Sequence, residues 1–108
     1  MSEPAPEPDL VVFEDLELLD GHDLRAVLEQ VPAPKVIDAL IGVRPGVRQH
    51  LLTKLPEPSA TRLQAELHAH GPVSVESVRD AQRCVVEALC RLSRGGIIAF
   101  DHPADMVA

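Results

Sequence analysis

Tryptophan and tyrosine are absent from this 108-residue chain, and phenylalanine occurs only twice, as Phe13 and Phe100. A core built from this sequence must therefore be packed by Leu, Val, Ile and Ala. Cysteine is scarce too. Cys84 and Cys90 fall on one predicted helix, where a six-residue rise of about 9 Å is too long for a disulfide between them. Two free thiols suit a reducing compartment, which points to the cytoplasm. No apolar run approaches the ~20 residues that span a bilayer. The opening MSEPAPEPDL has neither a basic n-region nor an apolar h-region, so it does not read as a signal peptide. Bases are outnumbered, 10 against 17 acids, for a net charge of −7. That balance argues against binding phosphate backbones or anionic membrane surfaces. A phosphate-cradling glycine loop is also missing, because Gly95-Gly96 follows a helical pattern instead of opening one.

What is present is a succession of short amphipathic patterns separated by proline and glycine. Residues 1–9 form a Pro/Glu stretch with the composition of a disordered tail, residues 10–101 form one domain, and residues 102–108 read as a flexible tail. Leu10 to Leu19 reads as extended chain or a short helical turn. Asp20 suits an N-cap, and Leu24, Val27, Leu28 and Val31 then repeat at helical spacing until Pro32 and Pro34. A second helix is predicted over Lys35 to Ile41, with Val36, Ile37, Leu40 and Ile41 inward and Gly42 at its end. A third begins near Pro45, a residue suited to the first helical turn, with Val47, Leu51, Leu52 and Leu55 as its apolar stripe. A fourth begins near Pro58 and carries Leu63 and Leu67 to Gly71. The longest runs from about Ser77 to Ser93. Ser77 and Asp80 supply a capping signature, and Val78, Ala81, Val85, Leu89 and Leu92 supply the stripe. Val73 and Val75 can pair with Ile97 and Ile98 as a short β-ribbon beside it. Leu28, Leu40, Leu51, Leu63, Leu67, Val85 and Leu89 are expected to be nearly buried.

Candidate chemistry is thin. His68 and His70 form an H-x-H, but residues two apart on a helix diverge, and no third ligand lies close in sequence. A polar helix end is expected there and no metal. His22 and His50 are isolated. Neither Cys84 nor Cys90 sits at a helix N-terminus, where the dipole would activate a thiol. These features predict neither an enzyme nor a cofactor. Arg79, Arg83 and Arg94 lie close to one face of the long helix, as a small DNA-binding regulator would require. Glu76, Asp80 and Glu87 dilute that strip.

The order of segments carries more. VVFEDLELLDGHDLRAVLEQV, KVIDALIG, LLTKLPEPSATRLQAELHAHGPV and then ESVRDAQRCVVEALCRLSRGGIIAF resemble the C-terminal domain family of the bacterial flagellar motor switch protein FliG. The resemblance covers about Leu10 to Phe100. It rests on Val12-Phe13-Glu14-Asp15, Asp20, Ala39-Leu40 with Gly42, Glu66-Leu67, Gly71-Pro72-Val73 and Ala81-Gln82. It implies an all-α fold, a compact bundle of about five to six short helices of FliG C-terminal or armadillo-like type. It also implies a non-enzymatic domain at the rotor rim, where one exposed helix presents charges to the stator. Its partners would be flagellar rotor or stator proteins. The match places the family's charged positions at Ile41, Pro58, Ala65-Glu66 and Ser74, and only Glu66 is charged here. Leu10 and Val11 stand where the family's hinge motif begins with Met-Phe. Arg62, Ala65, Glu66, Ile41 and Ser74 are therefore the expected protein-binding residues, with Arg62 and Glu66 four apart and able to pair. The expectation is a divergent single-domain relative that binds proteins and does not replace the motor protein's own domain in torque generation.

Overall fold

A computed structural model describes residues 13–98. The two tails, Phe100 and the hinge positions Leu10 and Val11 lie outside the described residues. A 3-10 helix spans Phe13–Leu18, followed by α1 (Gly21–Glu29), α2 (Ala33–Ile41), α3 (Pro45–Lys54), α4 (Glu57–Ala69) and α5 (Val75–Arg94). The fold is all-α, a bundle of short helices closed by one long one, and no strand occurs among the described residues.

Local chemistry sets the boundaries. The Asp20 carboxylate accepts the Asp23 N–H at 2.8 Å and caps α1. Helices α2, α3 and α4 each carry proline in the first two positions and have no side-chain cap. Proline there gives up an N–H that has no helical acceptor anyway and fixes φ near the helical value.

The start of α5 differs from the sequence expectation. The helix begins at Val75, and its cap is Ser74, whose hydroxyl oxygen accepts the Ser77 N–H at 3.0 Å. Ser77 lies within the first turn. Ser74→Ala is expected to cost about 1 kcal/mol and to lower Tm by about 4–8 °C, while Ser77→Ala stays within about 0.5 kcal/mol. Thermal melts of the two variants check this, and the reverse ranking would restore the cap to Ser77.

The expected ribbon does not form, for two reasons. Val75 is spent on the first turn of α5, where it is 66% exposed. At the other end, the Ile97 N–H donates to the Leu92 carbonyl at 2.9 Å and the Gly96 N–H to the Ser93 carbonyl at 3.1 Å. With Gly96 at φ +77°, these are the paired bonds of a Schellman C-cap. The backbone that would have paired as a strand closes the helix instead.

Apart from Phe13 and Cys90 the core is aliphatic, and among the described residues no polar or charged one is buried. Leu24, Val27, Leu40, Val85, Leu89 and Cys90 are among its fully buried members. Helix α5 presents Ala81, Val85, Ala88 and Leu89 to the other helices, and α2 is its main neighbour. That pair approaches closely because small residues line it. A Cβ on Gly42 would lie 2.1 Å from the Val78 Cγ1, and Ala39, Ala81 and Ala88 are fully buried. Side chains from two neighbours satisfy carbonyls at the α2 C-terminus: Gln82 Nε2 donates to Ala39 O and Arg48 Nη1 to Leu40 O, both at 3.1 Å.

The 3-10 helix is clamped on α3. The Lys54 ammonium donates to the carbonyls of Glu17 and Leu19, the latter at 2.6 Å, and His50 Nδ1 meets the Glu17 carboxylate at 2.6 Å.

Four expected core residues are less buried than their spacing implied. Leu28, Leu63 and Leu67 are only half-buried and pack against the rim of the core. Ile41 is half-buried as well. Helix α4 contains no buried residue at all. The reason is placement: α5, α2 and α1 enclose the core, and α4 lies outside, against α2 and α3.

Candidate functional site

Helix α4 is thus a surface helix held along one edge. Ala65, on that helix, is exposed and uncharged. Arg62 and Glu66 are exposed too, but they form no ion pair with each other among the described residues. They serve different hollows. Arg62 lines a groove of about 360 Å³ between α4, α1 and the start of α2, whereas Glu66 lines one of about 380 Å³ with Pro34, Ile37 and His70. The expected i,i+4 pair is therefore corrected: each side chain borders its own groove.

The other expected site residues surround the same helix. Ile41, at the end of α2, lines a hollow of about 530 Å³ with Arg48, Leu67, His68 and His70. It shares a wall with the C-terminal half of α4. Ser74 sits past α4 in the connection to α5, with its hydroxyl already engaged as the α5 cap. Pro58 is in the first turn of α4. So Ile41, Ala65 and Glu66 gather around the C-terminal half of α4, Arg62 lies one turn back, and Ser74 belongs to α5.

Among the described residues, His68 and His70 belong to no cluster of three metal-ligating groups. His70 ends α4, with Nδ1 2.8 Å from the Gly71 carbonyl and Nε2 3.4 Å from the Asp38 carboxylate of α2. It ties the end of α4 to α2, while His68 is exposed on the helix. The ligand atoms of Asp20, His22 and Asp23 do fall within 4.8 Å of one another. The Asp20 carboxylate there is the α1 cap, which explains the cluster.

On α5, Arg79, Arg83 and Arg94 are all exposed. Asp80 interrupts the strip and is ion-paired with Lys35 of α2. The hydrogen bond and charge of Lys35, with a further contribution from Arg83, hold the Asp80 carboxyl below its usual value. Asp80 stays ionised across neutral pH, and its ion pair holds Lys35 beside the N-terminal end of the strip. No described helix is long and apolar enough to cross a membrane.

The sequence reading missed the grooves themselves. Their signal was present in the surplus of apolar stripe residues: Leu28 and Leu63 line one groove, and Leu67 lines another.

A short all-helical module with one shallowly seated helix along its side is what these features define. The chain belongs to the FliG C-terminal domain family, whose sequence model it matches over residues 7–100. It is similar to the flagellar motor switch protein FliG of Thermotoga maritima, 29% identical over 91 residues, which cover 84% of this chain and 27% of that protein. It is 28% identical over 91 residues to FliG of Pseudomonas aeruginosa, with the same coverage of 84% and 27%. It is 26% identical over 93 residues to FliG of Borreliella burgdorferi, covering 86% of this chain and 27% of the relative. The chain therefore spans about a quarter of the length of the relatives it matches.

Proposed function

We propose that this chain is a non-enzymatic, cytoplasmic protein-binding domain of the motor-switch type, working at or near the flagellar basal body, and that it does not generate torque by the family's charge mechanism. Residues 10–101 form the binding domain. Its partner-facing surface is α4 with its surroundings: Arg62, Ala65, Glu66, Ile41 and Ser74. One observation carries the doubt about torque. Of the positions where the resemblance puts the family's charges, Ile41, Pro58, Ala65 and Ser74 carry none. Opposite charges on a meeting surface steer approach and fix orientation. Of the matched positions only Glu66 is charged, and it stands in a different hollow from Arg62.

The reading supports assembly without drive. Grafting residues 10–101 in place of the corresponding domain of a flagellar switch protein is expected to give assembled flagella that do not swim. Filament counts and a soft-agar motility assay read the two parts separately. A graft that assembles and swims at the parental rate contradicts the proposal.

A further inference from the structure

Helix α1 packs on α5, and α4 packs on α2 and α3. Between α1 and α4 the chain leaves the groove of about 360 Å³ that Arg62 borders. Its floor is Leu28 and Val31 from α1 and its end, Leu55 after α3, and Leu63 of α4. Leu28 and Leu63 are stripe residues of their helices, yet both remain half-exposed. The stripe of a surface helix ordinarily faces a packed neighbour. Here the two stripes converge on open space.

The lips of the groove are charged unequally. On α1, Arg25 Nε donates to Glu29 Oε2 at 3.0 Å, and the two charges cancel. On α4, Arg62 has no ion pair among the described residues. An occupant therefore meets an apolar floor and one uncompensated guanidinium. Within a chain of net charge −7, a second copy of the protein would bring general repulsion. What fits is a partner segment that is apolar on one side, carries one carboxylate at the edge of that side, and is not acidic overall.

We infer that the α1–α4 groove docks an amphipathic helix of a partner protein, with leucine-type anchors over Leu28, Val31 and Leu63 and a glutamate or aspartate paired to Arg62. This rests on the protein-binding reading above and names the chemistry of one partner. An amphipathic helix laid in a groove uses anchors at i, i+3 or i+4 and i+7, and a guanidinium–carboxylate pair at the lip adds a charge-assisted, two-pronged contact.

The test uses a fluorescein-labelled amphipathic peptide with leucines on one face, a single glutamate beside them and lysines opposite, together with its Glu→Gln twin. Fluorescence anisotropy and methyl NMR read binding to the full chain. The glutamate peptide is expected to bind and to shift the methyls of Leu28, Val31, Leu55 and Leu63. The glutamine twin is expected to bind about tenfold more weakly. Arg62→Gln, an exposed change, is expected to remove that difference between the two peptides. Equal binding of both peptides, shifts confined to another face, or no binding up to about 1 mM overturns the inference. So does a dimer in sedimentation that Leu63→Ser dissolves, because the occupant is then a second copy. The peptide titration reads the groove and the motility graft reads torque, so either can fail while the other stands.

Discussion

Leu89→Ala is expected to destabilise the protein by ~2–5 kcal/mol and to lower its Tm by more than about 10 °C. Leu89 is fully buried on the core stripe of α5, one turn from Val85 and adjacent to Ala88, which are also fully buried. Truncation removes the transfer energy of the side chain and leaves a cavity that close-packed neighbours fill only in part. Leu67→Ala is the matched control. Leu67 is half-buried at the rim, so the same truncation is expected to cost about 1 kcal/mol. Chemical denaturation of both variants checks the pair. Equal costs would mean that α4 is an integral part of the core, and the account of it as an edge-held helix would fall.

Gly21→Ala is the second large effect, and its sign is the point. Replacing glycine by alanine in a helix ordinarily stabilises by roughly 0.5–1 kcal/mol. At Gly21 a Cβ would lie 2.2 Å from the Lys54 carbonyl oxygen and 3.3 Å from its carbon. The obstructing atoms are backbone, so no side-chain rotation relieves them. The start of α1 must move off the end of α3, and overpacking of this kind costs ~1–3 kcal/mol or more. The shift also disturbs the Lys54 clamp, which holds the Leu19 carbonyl at 2.6 Å from the same end of α3. Gly46→Ala supplies the opposite expectation. Gly46 is helical in α3, and a Cβ there meets nothing within 4 Å, so a gain of roughly 0.5–1 kcal/mol follows. Stabilisation by both variants would show that the α1–α3 junction is looser than described.

Much of the fold was legible because its signals are local. Asp20, Pro45, Pro58 and Gly42 mark helix ends where capping and φ restriction act within a turn, whereas Pro34, read as ending the first helix, lies in the first turn of α2. The α5 stripe of Ala81, Val85 and Leu89 announced the buried face by spacing alone. What failed depended on neighbours outside the local window. The S-x-x-D spacing singled out Ser77 with Asp80, but the helix begins at Val75 and Ser74 is its cap. Ile97 and Ile98 read as strand because apolar β-branched pairs suit a ribbon, yet the Ile97 N–H was needed to close α5. Leu63 and Leu67 have the spacing of a core stripe, but depth is decided by which helices enclose the centre, and α4 is not one of them. The site residues Ile41, Arg62, Ala65 and Glu66 were placed by the resemblance. The grooves they border arise from packing among four helices, which no single segment encodes.

The missing family charges at Ile41 and Ala65 are the centre of the functional reading, and they can be restored with little risk to folding. Ala65→Asp is an exposed change on α4, and Ile41→Lys is half-exposed beside it. Ser74→Arg is less suitable, because it removes the α5 cap at a cost of about 1 kcal/mol. The decisive measurement is the rotation speed of tethered cells carrying the grafted domain, with and without Ile41→Lys and Ala65→Asp together. The unmodified graft is expected not to rotate, and the charge-restored graft to rotate at a measurable fraction of the parental speed. An unmodified graft that already turns at parental speed, unchanged by the two substitutions, would contradict the claim that this domain binds without driving rotation.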